Sequence, residues 1–223
     1  MSKELSVSLS QAAIAAPTRE SARESAHESA HESGRVPAHV SGLLRAAGII
    51  LGGSVLAAVC AHVSIPLFFT PVPLSLQPFA VLLLGLLLAP RMAAATFGAY
   101  LLEGAAGLPV FAPTPAVAGM AHLFGPTGGY LLAYPLAAAL ISFLWRRTGR
   151  GFGSAILCAA TGDLAILTCG AIWLAAFTSL SALPAATAAV IPFLPGDALK
   201  IAAAAGMAVG AMSLRRRNSA RNA

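Results

Sequence analysis

Six long apolar runs fill the chain from residue 43 onward, and they constrain its fold more than any other feature. They lie at residues 44–64, 74–89, 92–108, 128–145, 154–180 and 190–214. A helix needs about 20 residues to cross the hydrocarbon core of a bilayer, so the second and third runs must borrow flanking residues. Only 10% of the residues are charged, against roughly a quarter in soluble domains. The sequence therefore predicts an all-α integral membrane protein with six transmembrane helices.

The arginines indicate how these spans are oriented. Arginines precede the first run and follow the second, fourth and sixth, whereas the loops at 65–73, 109–127 and 181–189 contain neither Arg nor Lys. Cytoplasmic loops of membrane proteins carry an excess of Arg and Lys. We therefore predict a multi-pass protein of the cytoplasmic membrane with both termini in the cytoplasm. The basic residues form no stripe interleaved with aromatic residues, so nucleic acid is not predicted as a partner despite the net charge of +6.

The N-terminal 42 residues differ in composition from the rest of the chain. They contain the tetrapeptide repeat "ESARESAHESAHESG", which offers too little apolar surface to drive folding. We predict a disordered tail at 1–42, a six-helix domain at 43–217 and a short polar tail at 218–223. The repeat includes "HESAH", formally a zinc-binding H-E-x-x-H motif. Because the match follows from the repeat itself, no metal site is predicted.

Two charged residues stand inside the last apolar run, in the stretch "FLPGDALK". Asp197 and Lys200 lie three residues apart and therefore share one face of a helix. Pro195 favours a helix start here, which places Asp197 in the first turn, where the helix dipole favours a negative charge. The pair could simply close the helix start. Alternatively it forms a ligand site open to the outside, beneath apolar, Pro-rich and Gly-rich loops that fold over the helices as a lid.

Other polar residues within or beside the runs allow more than one interpretation. Asp163 lies near the middle of the fifth run and could be a ligand group, a proton carrier or a neutral acid bonded to a backbone carbonyl. Gln77 could cap a helix start or contact a ligand. Glu103 is predicted to lie at the outer interface. His62 and His122 are outward and isolated, so neither indicates a metal site.

The first run carries small residues at four-residue spacing, namely Gly53, Ala57 and Ala61. Such a stripe lets another helix approach closely, either within this chain or in a separate membrane protein. No P-loop, G-x-S-x-G or dinucleotide-binding motif occurs in the sequence. We therefore predict no enzymatic activity and no cofactor, and a transporter of this kind would depend on an ion gradient or on a partner.

Several stretches, taken in order, resemble one known family. They are "FFTPVPLSLQPFAVLLLGLLLAPR", "GAAGLPVF", "LFGPTGGYLLAYPLAA" and "FLPGDALK". Together they resemble the biotin-specific substrate-binding component (BioY) of energy-coupling factor transporters, over residues 45–214. The resemblance implies substrate contacts by Asp197 and Lys200 of "PGD..K", by Thr127, Gly128, Gly129 and Tyr130 of "GPTGGY", and by Gln77.

This resemblance implies a function and a set of partners. The chain would capture biotin from outside and pass it across the membrane with a transmembrane coupling protein and two cytoplasmic ATPase subunits. The stripe of Gly53, Ala57 and Ala61 resembles the docking motif of such components. The alternative from the residues alone is an ion-coupled transporter of a small metabolite, with Asp163 as its coupling site.

The composition of the tail generates a first prediction. Deletion of residues 1–40 should leave membrane insertion and ligand binding unchanged, because the repeat has no apolar face to bury. Binding of radiolabelled biotin to membranes that contain equal amounts of full-length and truncated protein measures this. Lost binding in the truncated protein would contradict the prediction, and an activity that requires zinc would restore the "HESAH" hypothesis.

Overall fold

The computed structural model describes residues 38–113, 119–178 and 181–221. The chain divides into two units, Met1–Leu44 and Arg45–Ala223. Within the first unit, the described residues are the start of the first helix. Residues 1–37 of the predicted disordered tail, with its "HESAH" motif, lie outside the described residues, and so do residues 222–223 of the predicted C-terminal tail. Residues 38–42, which were predicted to be disordered, belong to the first helix.

The described residues form eight helices and one short β-ribbon. In chain order they are α1 (Ala38–His62), β1 (Ser64–Ile65), β2 (Leu74–Ser75), α2 (Gln77–Leu87), α3 (Pro90–Ala105), α4 (Met120–Leu123), α5 (Gly128–Arg147), α6 (Phe152–Thr178), α7 (Ala182–Ala189) and α8 (Leu194–Arg221). The two strands are antiparallel, with Ser64 opposite Ser75 and Ile65 opposite Leu74. The protein is thus mostly helical.

Four of these helices are long and apolar enough to cross a membrane, counting only the residues that the structure describes. They are α1 from Val40, α5, α6 and α8. The second and third predicted runs form the shorter helices α2 and α3, of 11 and 16 residues. At 1.5 Å per residue these extend about 16 and 24 Å, less than the roughly 30 Å of a hydrocarbon core. The chain is therefore a multi-pass membrane protein in which two of the six predicted spans are short helices.

Two further segments are helical where the sequence analysis predicted otherwise. The outward loop at 181–189 contains α7, whose alanine-rich sequence favours a helix. The last helix continues to Arg221, past the predicted start of a polar tail at residue 218. In the other direction, the third predicted run ends early: α3 stops at Ala105, and Gly107 adopts a φ of 95°, which glycine tolerates readily.

The short helix α2 lies at the centre of the packing. It contacts α5, α6 and α8. Its residues from Ala80 to Leu86 are buried, including Leu82, which is fully inaccessible. A helix that is apolar on every side is covered either by lipid or by other helices. The burial of these residues inside the protein shows that other helices cover this part of α2. The longer helices therefore surround α2, and its N-terminal end faces the site described below.

Glycines allow α5 and α6 to approach closely. A Cβ atom at Gly162 would overlap the side chain of Ile141, and one at Gly170 would overlap the ring of Tyr130. Within a bilayer, helices associate through close van der Waals packing rather than through the hydrophobic effect. The contact between α5 and α6 therefore depends on the absence of side chains at these positions.

The small-residue stripe of α1 packs inside the chain. Ala57 and Ala61 are fully buried, and a Cβ atom at Gly53 would lie 2.6 Å from Cγ2 of Thr96 in α3. Beside it, Ser54 Oγ donates a hydrogen bond to Glu103 Oε2, so Glu103 joins α3 to α1 rather than only marking the interface. These contacts support the internal-packing interpretation of the stripe, and docking of a partner there stays a prediction.

The glycine contact between α5 and α6 can be tested by adding one methyl group. Gly162→Ala should lower the free energy of unfolding by roughly 1–3 kcal/mol, because Ile141 is fully buried and has little room to move. Gly98→Ala is the matched control, since nothing lies within 4 Å of its added Cβ and alanine favours helix. Melting curves of the detergent-solubilised variants measure the difference. Equal melting temperatures for the two variants would contradict the prediction.

Candidate functional site

A cavity with an empty volume of about 550 Å³ lies where α2, α5, α6 and α8 meet. Its walls are mainly apolar, and the described parts of two predicted lid loops, at 65–73 and 109–127, contribute residues to them. The lining residues are Val72, Pro73, Ser75, Gln77, Pro78, Ala112, His122, Thr127, Tyr130, Leu131, Tyr134, Asp163, Ile166, Leu167, Phe193, Asp197 and Lys200. A concave apolar site with a few converging polar groups is typical of small-molecule binding.

Asp197 and Lys200 form an ion pair on one wall of this cavity. Lys200 Nζ donates to Asp197 Oδ1 at 2.7 Å, and the two residues are only 8% and 3% exposed. Asp197 lies in the first turn of α8, where its backbone N–H donates to the carbonyl of Phe193. Removing two charges from water costs more than an isolated ion pair usually returns. A pair that only stabilised the helix start would not need this burial beside an open cavity.

Gln77, at the start of α2, lines the cavity, and a chain of hydrogen bonds holds its side chain in place. Its Nε2 atom donates to the hydroxyl of Tyr100 at 2.6 Å, and that hydroxyl donates to the carbonyl of Val110 at 2.8 Å. Pro78, in the first turn of α2, has no N–H that would need a partner there. Gln77 thus links the cavity to the segment that follows α3.

The motif "GPTGGY" contributes to the site in two different ways. Thr127 and Tyr130 line the cavity, and the Tyr130 hydroxyl donates to the carbonyl of Ala189 at 2.7 Å. Gly128 and Gly129 pack closely against neighbouring residues, and their contact with the substrate stays a prediction. A Cβ atom at Gly128 would overlap the Leu123 carbonyl, and one at Gly129 would overlap the Trp173 side chain. The close packing of the two glycines therefore helps to position Tyr130. Gly170 does the same, because its lack of a side chain leaves room for the Tyr130 ring.

Asp163 reaches the same cavity from the middle of α6. It is 5% exposed, and its Oδ1 atom has no hydrogen-bond partner within the described residues. Its carboxyl group interacts electrostatically with both members of the ion pair, favourably with Lys200 and unfavourably with Asp197. The three charged groups of the cavity wall thus come from the two helices α6 and α8.

Sequence reasoning missed several residues of the cavity. Tyr134 lies four residues after Tyr130 and so shares its helix face, a spacing that could have identified it. His122, which looked isolated in the sequence, lines the cavity with its ring 5.1 Å from that of Phe111. Its short helix α4 has too few residues to show a periodic pattern. Part of the loop that precedes α4, at 114–118, lies outside the described residues.

The described residues offer no group of His, Cys, Asp and Glu side chains that could hold a metal ion. The three cysteines are free thiols, with Cys60 and Cys158 buried and Cys169 exposed. The cavity therefore combines one ion pair, one further carboxyl group, hydroxyl and amide groups, and apolar walls. This arrangement can bind a small, partly apolar molecule that carries both hydrogen-bond donors and acceptors.

Comparison with known proteins identifies related chains. A probable biotin transporter BioY of Pyrococcus horikoshii is 39% identical over 135 residues, which cover 60% of this chain and 76% of the relative. A biotin transporter BioY of Lactococcus lactis is 33% identical over 61% of this chain and 73% of the relative. One of Thermotoga maritima is 33% identical over 68% of this chain and 86% of the relative.

A solved structure has the same fold. It is a crystal structure of the S-component for biotin from an ECF-type ABC transporter, and it superposes with a TM-score of 0.71 at 24% identity. The superposition covers 78% of this chain and 93% of the other. The family model of the BioY family matches residues 30–217, which is most of the chain including the whole cavity. The chain therefore belongs to the BioY family.

Proposed function

We propose that this chain captures biotin and serves as the substrate-binding component of an energy-coupling factor transporter. Its family and relatives are named as biotin transporters, and the solved structure of the same fold is a biotin S-component. The observation that carries the proposal is the buried ion pair of Asp197 and Lys200 on the wall of an otherwise apolar cavity. The family is a family of transporters, so the chain is not an enzyme.

The chemistry of biotin matches that of the cavity. Biotin has a carboxylate, two ureido N–H donors, a ureido carbonyl and an apolar chain with a thioether. We assign substrate contacts to five residues of the cavity wall, namely Gln77, Thr127, Tyr130, Asp197 and Lys200. Gly128 and Gly129 support these contacts by positioning Tyr130.

Because the sequence has no nucleotide-binding motif, the energy for transport comes from an ion gradient or from a partner. We propose that the chain works in the cytoplasmic membrane with a transmembrane coupling protein and two cytoplasmic ATPase subunits. The ion-coupled alternative is not favoured, since the family and the solved structure of the same fold belong to ECF-type transporters. Docking through Gly53, Ala57 and Ala61 would require α1 to separate from α3, because this stripe is buried.

We also propose that the chain crosses the membrane six times with both termini in the cytoplasm. Two residues, Leu88 and Ala89, separate α2 from α3, so Arg91 lies next to a tight connection between them. A second cavity brings together Arg146, Arg150 and Arg215 with Leu86 and Leu87. The ends of α2 and α5 and the last part of α8 thus lie together, and their arginines support one cytoplasmic side.

Reporter fusions test this topology. A periplasmic-type reporter that is active only outside the cytoplasm should be active when fused after Leu108 and inactive when fused after Arg221. Two predicted spans lie between Arg45 and Arg91, so these two arginines lie on the same, cytoplasmic side. One more span lies between Arg91 and Leu108, so Leu108 lies on the opposite side. Fusion after Arg150 is the matched control and should also be inactive. Activity of the fusion after Arg221 would contradict the six-span arrangement.

Replacement of Lys200 tests the site. Lys200→Met keeps an unbranched side chain but removes the charge, so biotin affinity should fall by roughly one to three orders of magnitude. Leu199→Met is the control, because that neighbour is 73% exposed and does not line the cavity. Calorimetric titration of the purified proteins with biotin measures affinity, and a melting curve measures stability. Wild-type affinity in a destabilised Lys200→Met protein would refute the assignment and favour a role at the helix start.

Mass spectrometry of the denatured wild-type protein provides an independent test of the ligand. Biotin that remains bound through purification should be released on denaturation, in an amount that approaches the amount of protein. Protein with Lys200→Met should release much less. A wild-type protein that neither retains nor binds biotin would refute the proposed function itself.

A further inference from the structure

Asp163 has an unusual position for a carboxyl group. It lies in α6, is 5% exposed, and lines the cavity together with Asp197, Lys200 and His122. Its Oδ1 atom is buried and makes no hydrogen bond within the described residues. A buried polar atom without a partner is costly, and a charged one is costlier still. Such an atom beside a cavity indicates a missing partner from outside the protein.

Three donors on the cavity wall are bonded to acceptors other than Asp163. Lys200 Nζ is 2.7 Å from Asp197 Oδ1, and the Tyr130 hydroxyl donates to the carbonyl of Ala189. Gln77 Nε2 donates to Tyr100. Along α6, the residues one turn further on are the apolar Ile166 and Leu167. The described residues therefore supply Asp163 with electrostatic attraction to Lys200 but with no hydrogen-bond donor to its buried Oδ1 atom.

We propose that Asp163 contacts the ligand directly and accepts a hydrogen bond from a ureido N–H group of biotin. This inference rests on the proposed function. The two ureido N–H groups are the donors that biotin offers at neutral pH, whereas its carboxylate would be repelled by a second carboxylate. The ring end of biotin therefore faces Asp163, and its carboxylate lies away from α6. A hydrogen bond to an ionised acceptor is stronger than one between neutral groups, so Asp163, when ionised, contributes to both affinity and specificity.

This role predicts opposite effects on stability and on binding. Asp163→Asn keeps the size of the side chain but removes the charge, so it relieves the cost of the unpartnered carboxylate in the empty protein. The melting temperature without ligand should be unchanged or higher. Biotin affinity should fall by roughly ten- to a hundredfold, the effect of losing a charge-assisted hydrogen bond. A residue with a merely structural role would lower the melting temperature instead.

The experiment compares Asp163→Asn with Glu103→Gln in the purified full-length protein. Glu103 also carries a carboxyl group within a helix of the membrane domain, but it is bonded to Ser54 and does not line the cavity. Calorimetric titration with biotin and melting curves with and without biotin are recorded for both variants and for wild type. Glu103→Gln should bind biotin with wild-type affinity. Asp163→Ala serves as a second variant if Asp163→Asn does not fold.

A ligand analogue shows whether the contact is to the ring. Iminobiotin has an imino nitrogen in place of the ureido oxygen, so its ring end is a guanidinium cation when protonated. An ionised Asp163 beside the ring attracts this cation more strongly than the neutral ureido group. At a pH where iminobiotin is protonated, Asp163→Asn should therefore reduce affinity for iminobiotin by a larger factor than affinity for biotin.

The outcomes separate the two claims. Wild-type affinity for biotin in Asp163→Asn, or equal loss of affinity for biotin and iminobiotin, would overturn the contact with the ring while the proposed function stands. Failure of wild type and Glu103→Gln to bind biotin would refute the proposed function. Weaker binding in Asp163→Asn, with retained thermal stability and a larger loss for iminobiotin, would establish Asp163 as a ligand contact.

Discussion

The close contact between α5 and α6 is the interaction on which the rest of the structure depends. Ile141 fits against Gly162, Tyr130 against Gly170, and Trp173 against Gly129. Because lipid chains are as apolar as the side chains they replace, this interlocking of large and small residues holds the helices together where burial of apolar surface cannot. The same contacts set the positions of Tyr130 on α5 and Asp163 on α6. The packing of two helices therefore also determines the geometry of the cavity.

The charges of the cavity make sense only in relation to a ligand. Two carboxyl groups and one amino group, those of Asp163, Asp197 and Lys200, line a mainly apolar space, and Asp197 and Lys200 form an ion pair. If the protein were selected for stability alone, apolar residues of similar volume would serve at least as well. A ligand with both an anionic group and N–H donors can satisfy all three. Binding and stability are then linked, because the ligand stabilises the folded state to which it binds.

Much of the fold followed from the sequence, because apolar length and the placement of arginine are strong signals. The runs at 128–145 and 154–180 correspond closely to α5 and α6. The shortness of α2 was harder to predict, since an apolar sequence does not show whether lipid or other helices cover it. Helix α7 was missed because its alanines were interpreted as part of an outward loop. The position of a helix end depends on contacts that no local pattern records.

Part of the site was also predictable from the sequence. Asp197 and Lys200 stood out because charge is rare in an apolar run, and both line the cavity. Gly128 and Gly129 were predicted as substrate contacts because they belong to the same motif as Tyr130, and these contacts stay predictions. The motif did not show that the two glycines also pack against Leu123 and Trp173. The hydrogen-bond chain through Gln77 has a further consequence. The Val110 carbonyl can only accept, so the Tyr100 hydroxyl must donate to it and accept from Gln77. This one-way polarity fixes which end of the Gln77 amide faces Tyr100, and a glutamate of the same size, with no hydrogen to donate when ionised, could not take its place.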